Sequence, residues 1–350
     1  MADIKKRNIL ILQNKILHYR KPLFNSLSKY YNVTVLHSGN KSKVSTDYYN
    51  EIIVRDYRVS SLRIQPATIK LCTSKKYDII ISMMDLHWIL NVLSAFIHPP
   101  EVVFIWWGAW LTGNKIADQL KVTLLNRRNA SILYTDKARN EFISCGVQAQ
   151  KLFVANNTFH VPFRPKMYYH QPKNKILCIG SFDPRKEHLL MIKSFISIVR
   201  DINQEIKLYI IGDGKLRPEL KNFVDSNNIS NRIIFTGAIN DANVLRHYYR
   251  DAICSISYGQ AGLSVLQSFG YGVPYITTKS AISGGEISNI IDGHNGFLCD
   301  SNRNSFQNVI KHVCNNNDMA ATMGKNAYNY YTNNCTMQNM VDAFRDTINY

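Results

Sequence analysis

Four stretches bring glycine and charged residues to points where a strand pattern gives way to a helical one. The first is IGSFDPRKEH (Ile179–His188). Gly180 and Ser181 follow an apolar run, and Arg185 and Lys186 come just before the next helical pattern. Lys offers a point charge and Arg a forked donor, which suits a diphosphate. The plainer reading is a solvated basic pair. Cations are unfavourable at a helix N-terminus, so that reading leaves a cost to explain. The second stretch is YGQAGLSVLQSFGYGVPYITT (Tyr258–Thr278). A helix expected to start near Leu263 offers unpaired N–H groups and the positive end of its dipole. Gly259 and Gly262 would let an anion come close, with Gln260 between them. Gln267 shares the face of Leu263 and could reach the same ligand. The third, ISGGEISNIIDGHNGFL (Ile282–Leu298), puts Glu286 at an expected helix start. It is either a stabilising first-turn acid or an acceptor for sugar or ribose hydroxyls. The fourth, GDGK at Gly212–Lys215, reads on its own as a turn.

The first half offers different chemistry. Asp85 and His87 sit at a strand end in MMDLHW, a placement that suits a general base. His18 lies in the loop after the first strand, in QNKILHYR. A lone His is more often structural. WWGAW (Trp106–Trp110) follows another strand. Trp faces stack on sugar rings, and a core or membrane-interface cluster is the plainer alternative.

These residues need elements to position them. With 350 residues, two domains are expected. NILIL (Asn8–Leu12) is a buried-type strand. A helix with Pro22 near its first turn follows, then a strand at Asn32–Ser38. That is a βαβ start and points to a parallel sheet. Further strands are expected at Asp78–Met84, Glu101–Trp107 and Ala130–Asp136. The segment Phe159–Lys175 has three Pro and no period, and reads as a linker. The alternation then restarts. The fold class is α/β, with ligands expected at the carboxyl ends of the strands.

Composition narrows the classes. The balance of 42 Lys+Arg against 25 Asp+Glu gives +17, which favours anionic partners. The basic residues are spread out and no RNA-binding aromatic signature appears, so nucleic acid is the weaker partner. An anionic leaflet fits better. Seven Cys without a CxxC pair argue for reduced thiols in a cytoplasmic protein, not a disulfide framework or a zinc site. The first residues read as a strand, not a signal peptide. No apolar run is long enough to span a bilayer. No Asp-x-Asp, GxSxG or P-loop occurs, and no metal site is expected. The first βα loop lacks Gly, which argues against a dinucleotide-binding dehydrogenase.

Together these motifs resemble the retaining glycosyltransferases of family four, which have the GT-B fold. The resemblance covers nearly all of the chain and is strongest in the second half. There IGSFDPRKEHLLMIKSF, LYIIGDGKLRPELK, IIFTGAI, GLSVLQSFGYGVPYITT and GGEISNIIDGHNGFL follow the family's order and spacing. ILHYRKPLFNSLSKYYNVTVLHSG resembles a subset that builds bacterial surface polysaccharides such as O-antigen or capsule. The resemblance implies two Rossmann-like domains facing across a cleft. An acceptor domain would span 1–160, a linker 161–174 and a nucleotide-sugar domain 175–332. A C-terminal helix over 333–350 would cross back to the first domain. It implies a nucleoside-diphosphate-sugar donor, UDP favoured, with no cofactor and no metal. Lys186 and Arg185 would bind the diphosphate. Gly180, Ser181, Gly212, Gly259, Gln260, Gly262, Leu263, Gln267 and Glu286 would line the donor site. His18, Arg20, Trp107 and Trp110 would hold the acceptor, with Asp85 and His87 as catalytic candidates. The acceptor would be a lipid-linked saccharide on the cytoplasmic face of the inner membrane.

Four features depart from the family pattern, one being that the His often found at the end of the strand before the active site is replaced within WWGAW. The usual pair of glutamates eight positions apart is Gly259 and Gln267, and the usual Arg after the first loop's Gly is Ser181. A catalytically impaired binding or regulatory protein is therefore a second expectation. A nucleotide-sugar epimerase on the same fold is a third.

Overall fold

The computed structural model describes residues 6–163, 165–169 and 171–350. The chain divides into two compact units. The first runs to Asn156 and takes back Met337–Tyr350, and the second is Asn157–Thr336.

The strands of the first unit are β1 (Asn8–Leu12), β2 (Asn32–His37), β3 (Asn50–Ile53), β4 (Tyr57–Val59), β5 (Leu62–Ile64), β6 (Ile79–Met83), β7 (Val103–Trp107), β8 (Ala130–Leu133) and β9 (Leu152–Val154). Its helices are α1 (Lys21–Leu27), α2 (Ala67–Cys72), α3 (Ile89–Ile97), α4 (Lys115–Arg127) and α5 (Asp136–Ser144). Seven strands form a parallel sheet in the order β3-β2-β1-β6-β7-β8-β9, and β4 pairs with β5 as a separate antiparallel ribbon. Successive side chains of a strand point to opposite faces. Ile9 and Ile11 accordingly meet Leu23 and Phe24 of α1, while Leu10 and Leu12 join the cluster of Trp106, Leu124 and Phe142. Burial on both faces is why β1 reads as an unbroken apolar run.

The second unit has β10 (Lys175–Ile179), β11 (Lys207–Ile211), β12 (Ile233–Gly237), β13 (Ala252–Ile256), β14 (Tyr275–Thr278) and β15 (Gly296–Cys299). Its helices are α6 (His188–Ile198), α7 (Arg217–Ser226), α8 (Ala242–Arg250), α9 (Ser264–Tyr271), α10 (Arg303–Cys314) and α11 (Asn317–Asn334). The parallel order is β12-β11-β10-β13-β14-β15. The last helix, α12 (Met337–Asn349), belongs to the first unit, where Met340, Val341, Phe344 and Ile348 join the core at helical spacing. Residues 333–336 stay with the second unit.

The stretch 161–174, expected as a linker, lies within the second unit. Val161, Met167 and Tyr168 are buried there. The Lys173 ammonium, also buried, donates to the carbonyls of Met167, Arg250 and Ala252. Its proline-rich, aperiodic composition therefore marks packed irregular chain, because buried carbonyls outside regular structure still need donors.

In each sheet the strand order reverses beside the first strand, between β1 and β6 and between β10 and β13. Loops diverge there, and that is where open α/β sheets hold ligands.

Candidate functional site

The loops after β10 and β13 meet at the reversal in the second sheet. Gly180 follows β10 at φ 145°, a conformation that favours glycine. The Lys186 side chain lies over it. A β-carbon on Gly180 would stand 2.6 Å from Lys186 Nζ and 2.9 Å from Cε. The ammonium has no hydrogen-bond or ion-pair partner among the described residues, and burial holds its pKa below the ordinary lysine value.

Arg185 is differently placed. Pro184–Lys186 form a short 3-10 turn capped by Asp183. The Arg185 guanidinium folds back on the same carboxylate, with Nε 2.9 Å from Oδ1 and Nη2 3.2 Å from Oδ2. The pair is exposed, so Lys186 carries the unmatched charge of this loop. Neither cation occupies the first turn of α6. That helix starts at His188, after Glu187 in the left-handed conformation (φ 52°, ψ 42°). The dipole penalty expected from sequence is thus avoided by geometry.

The glycines of the second stretch have different jobs. A β-carbon on Gly259 would collide with the Arg185 carbonyl and stand 2.7 Å from Glu187 Cγ. Its N–H donates to the Lys186 carbonyl at 3.2 Å. Gly259 therefore lets two protein loops pack together; it does not open the path for an anion that the sequence suggested. Gly212 is corrected in the same way. A β-carbon there would meet the carbonyl of Gly180, 2.8 Å from its carbon. At Gly262 nothing lies within 4 Å of a β-carbon. The Gly262 and Leu263 amides have no acceptor among the described residues. Leu263 is the N-cap of α9 and supplies no side-chain cap. The open helix start is here.

Gln260 is held in place by the bonds on either side of it. The Ala261 amide donates to Ile282 O at 3.0 Å and the Ile282 amide to Gly259 O at 2.9 Å. Gln267 was expected on a ligand-facing side of the helix, but it is 4% exposed in a helix buried from Val265 to Tyr271. Ser181 is exposed. Glu286 opens a 3-10 turn, Glu286–Asn289. Its carboxylate accepts from the Ser283 hydroxyl (3.0 Å), the Gly284 amide (2.9 Å) and the Asn157 side-chain amide (2.8 Å). It holds its own loop together.

One residue was missed from sequence. His188 is 2% exposed, lies edge-on to Phe182 at 5.0 Å, and has no partner for either ring nitrogen among the described residues. Burial, aided by the charge of Lys186, lowers its pKa to about 4. Its place two residues after Lys186 was the only available signal.

In the first unit, His18 and Arg20 form a 3-10 turn after β1. His18 is exposed, and Arg20 is only 7% exposed. The Arg20 guanidinium lies 4.2 Å from the centre of the Trp107 ring and donates from Nη2 to the Tyr134 hydroxyl at 2.7 Å. No carboxylate among the described residues pairs with it. Trp107, expected to stack on a sugar, is fully buried and packs edge-on against Phe344 of α12 at 5.1 Å. It is a core residue. Trp110 is 52% exposed. Asp85 and His87 form a pair after β6, with Oδ1 2.8 Å from Nδ1 and much of each side chain in solvent.

Comparison with known proteins shows what this geometry is similar to. Residues 162–330 match the family model described as glycosyl transferases group 1. That segment, just under half of the chain, is thus similar to the glycosyl transferases of group 1. An uncharacterized glycosyltransferase of Methanocaldococcus jannaschii is 32% identical over 164 residues, 46% of this chain and 44% of that protein. The chain thus spans about half the length of the curated relatives it matches. Among solved structures, HepE of Anabaena in complex with UDP superposes with a TM-score of 0.77 at 15% identity, covering 99% of this chain and 100% of that one. WaaB, described as a lipopolysaccharide outer core galactosyltransferase, superposes with a TM-score of 0.64 at 15% identity, covering 97% and 99%. The fold is GT-B, with two Rossmann-like units. Lys186, Gly180 and Gly262 all lie inside the segment matched by the family model.

Proposed function

We propose that this chain is a retaining glycosyltransferase that moves a hexose or deoxyhexose from a UDP-sugar to a lipid-linked oligosaccharide in surface polysaccharide synthesis. The second unit would bind the donor and the first the acceptor, at the cytoplasmic face of the inner membrane. One observation carries the reading: an unpartnered Lys186 ammonium over Gly180, in a loop packed against the one that ends at the open amides of Gly262 and Leu263. A cation and free N–H groups at a helix start form an anion site. As the sugar bond breaks, negative charge grows on the departing diphosphate. Donors already in place stabilise that charge without reorganising. In this reading they do so without a metal, and the new bond forms on the same face of the sugar. The UDP bound to HepE supports the choice of base, and the description of WaaB supports the polysaccharide class. Arg20 supports an anionic acceptor group such as a lipid diphosphate, because its buried charge has no carboxylate counterion among the described residues.

A second reading is a binding protein without turnover. Gly259 supplies no acidic side chain, and the space its β-carbon would need is filled by Arg185 and Glu187.

Thermal unfolding against UDP, GDP, ADP, TDP and CMP tests the donor site, since a ligand of the native state raises stability by mass action. A shift with UDP that Lys186→Ala removes is expected. No shift with any nucleotide would overturn the reading. A UDP shift without transfer to any lipid-linked acceptor would favour the second one.

A further inference from the structure

Helix α3 carries no charged residue, and one of its faces is in solvent. Ile89, Leu93, Phe96 and Ile97 are 37%, 42%, 44% and 37% exposed. They recur at i, i+4, i+7 and i+8, which is a single helical stripe. Helix α4 has a matching stripe, with Ile116 85% and Leu120 44% exposed and Arg127 further along the same face. The two helices follow the neighbouring strands β6 and β7, and both connections cross the sheet in the same direction. Right-handed crossovers therefore put them on one face. The stripes join at Phe96, where the guanidiniums of Arg127 and Arg128 lie 5.7 and 5.4 Å from the ring centre.

The exposed charges of α4 have one sign. Lys115 and Arg127 are exposed. The one acid of α4, Asp118, is held by the Thr112 and Gly113 amides and by Lys121. Scattered exposed apolar residues are ordinary, but a contiguous apolar surface rimmed by cations marks an interaction site. No helix among the described residues is long and apolar enough to cross a membrane. A helix that lies in the bilayer interface instead has an apolar face, flanking Lys and Arg, and Trp at the headgroup level. Trp110, just before α4, is half exposed and fits that place.

We propose that the α3–α4 face is the surface by which the protein lies on an anionic lipid bilayer. Apolar side chains would enter the acyl boundary while the exposed Arg127 and Lys115 meet lipid phosphates. This deepens the membrane part of the function proposed above.

Co-sedimentation of the full chain with vesicles tests it. Phosphatidylglycerol-containing vesicles should bring down the protein, and phosphatidylcholine vesicles should not. Leu93→Glu with Phe96→Glu should weaken binding by about tenfold or more, and Ile116→Glu, at a site almost wholly in solvent, should weaken it in the same direction. The melting temperature and the shift with UDP should be unchanged in both variants. Sedimentation without regard to lipid charge, or unaffected by these substitutions, would overturn the proposal. So would a wild-type dimer that the substitutions convert to monomer, since the face would then be covered by a second copy. A retained UDP shift without vesicle binding sinks the docking surface and leaves the donor site standing. Vesicle binding without a UDP shift does the reverse.

Discussion

The Lys186 ammonium lies directly over the α-carbon of Gly180, so close that a β-carbon there would stand 2.6 Å from Nζ. The contact keeps an unpaired cation pressed against the end of β10. Lys186→Ala is expected to lower UDP affinity by roughly 10- to 100-fold, the range for a charge-assisted hydrogen bond. Stability should hold or rise, because an unpaired, partly buried charge is removed. Titration calorimetry with UDP and thermal unfolding check both halves. Unchanged affinity would remove Lys186 from the site.

Two glycines three residues apart separate packing from ligand approach. Gly259→Ala should destabilise the fold by about 1–3 kcal/mol through overpacking, because its neighbours are the Arg185 carbonyl and Glu187. Gly262→Ala meets no protein atom within 4 Å, so stability should stay within about 0.5 kcal/mol. Its affinity for UDP should fall. Equal loss of stability in both variants would contradict this division.

His188 makes the fold sensitive to acid. The unfolded chain takes up its proton near pH 6.5, whereas the folded chain resists until about pH 4. Between those values the unfolded state binds more protons, so stability falls as pH drops through that window. The contribution is up to about 3 kcal/mol. Denaturant unfolding at several pH values should show a shallower acid-side loss in His188→Gln than in the parent. Identical slopes would refute it.

Arg20 tests the acceptor side. Arg20→Lys keeps the charge but loses the planar fork that lies on Trp107. The acceptor KM should rise while UDP affinity stays unchanged. A change in UDP affinity instead would move Arg20 out of the acceptor role.

The two tryptophans proposed for sugar stacking should part company. Trp107→Ala leaves a hole in the core and should lose about 3–5 kcal/mol. Trp110→Ala, on the surface, should stay within about 0.5 kcal/mol. Chemical denaturation distinguishes them.

Much of this protein was legible in local pattern. Parallel strands buried on both faces must be unbroken apolar runs, so NILIL and its successors declared the α/β class. Glycine and lysine between a strand and a helix marked the loop proposed here to hold the donor, because phosphate binding draws on backbone groups and charge that short segments contain. The edge strand β3, the β4–β5 ribbon and α4 gave weaker signals, being short or mostly solvent-facing.

What only the tertiary structure decided was what each marked residue faces. Gly259 and Gly262 look alike in sequence, yet one abuts a loop more than seventy residues away and the other opens to solvent. Arg185 and Lys186 are adjacent, but the Asp183 carboxylate takes one and leaves the other unpaired. Trp107 is buried because α12 returns from the far end of the chain to cover it. Composition and spacing determine which chemistry a segment can offer. Contacts between distant segments determine which of those groups are used for packing and which are left for a ligand.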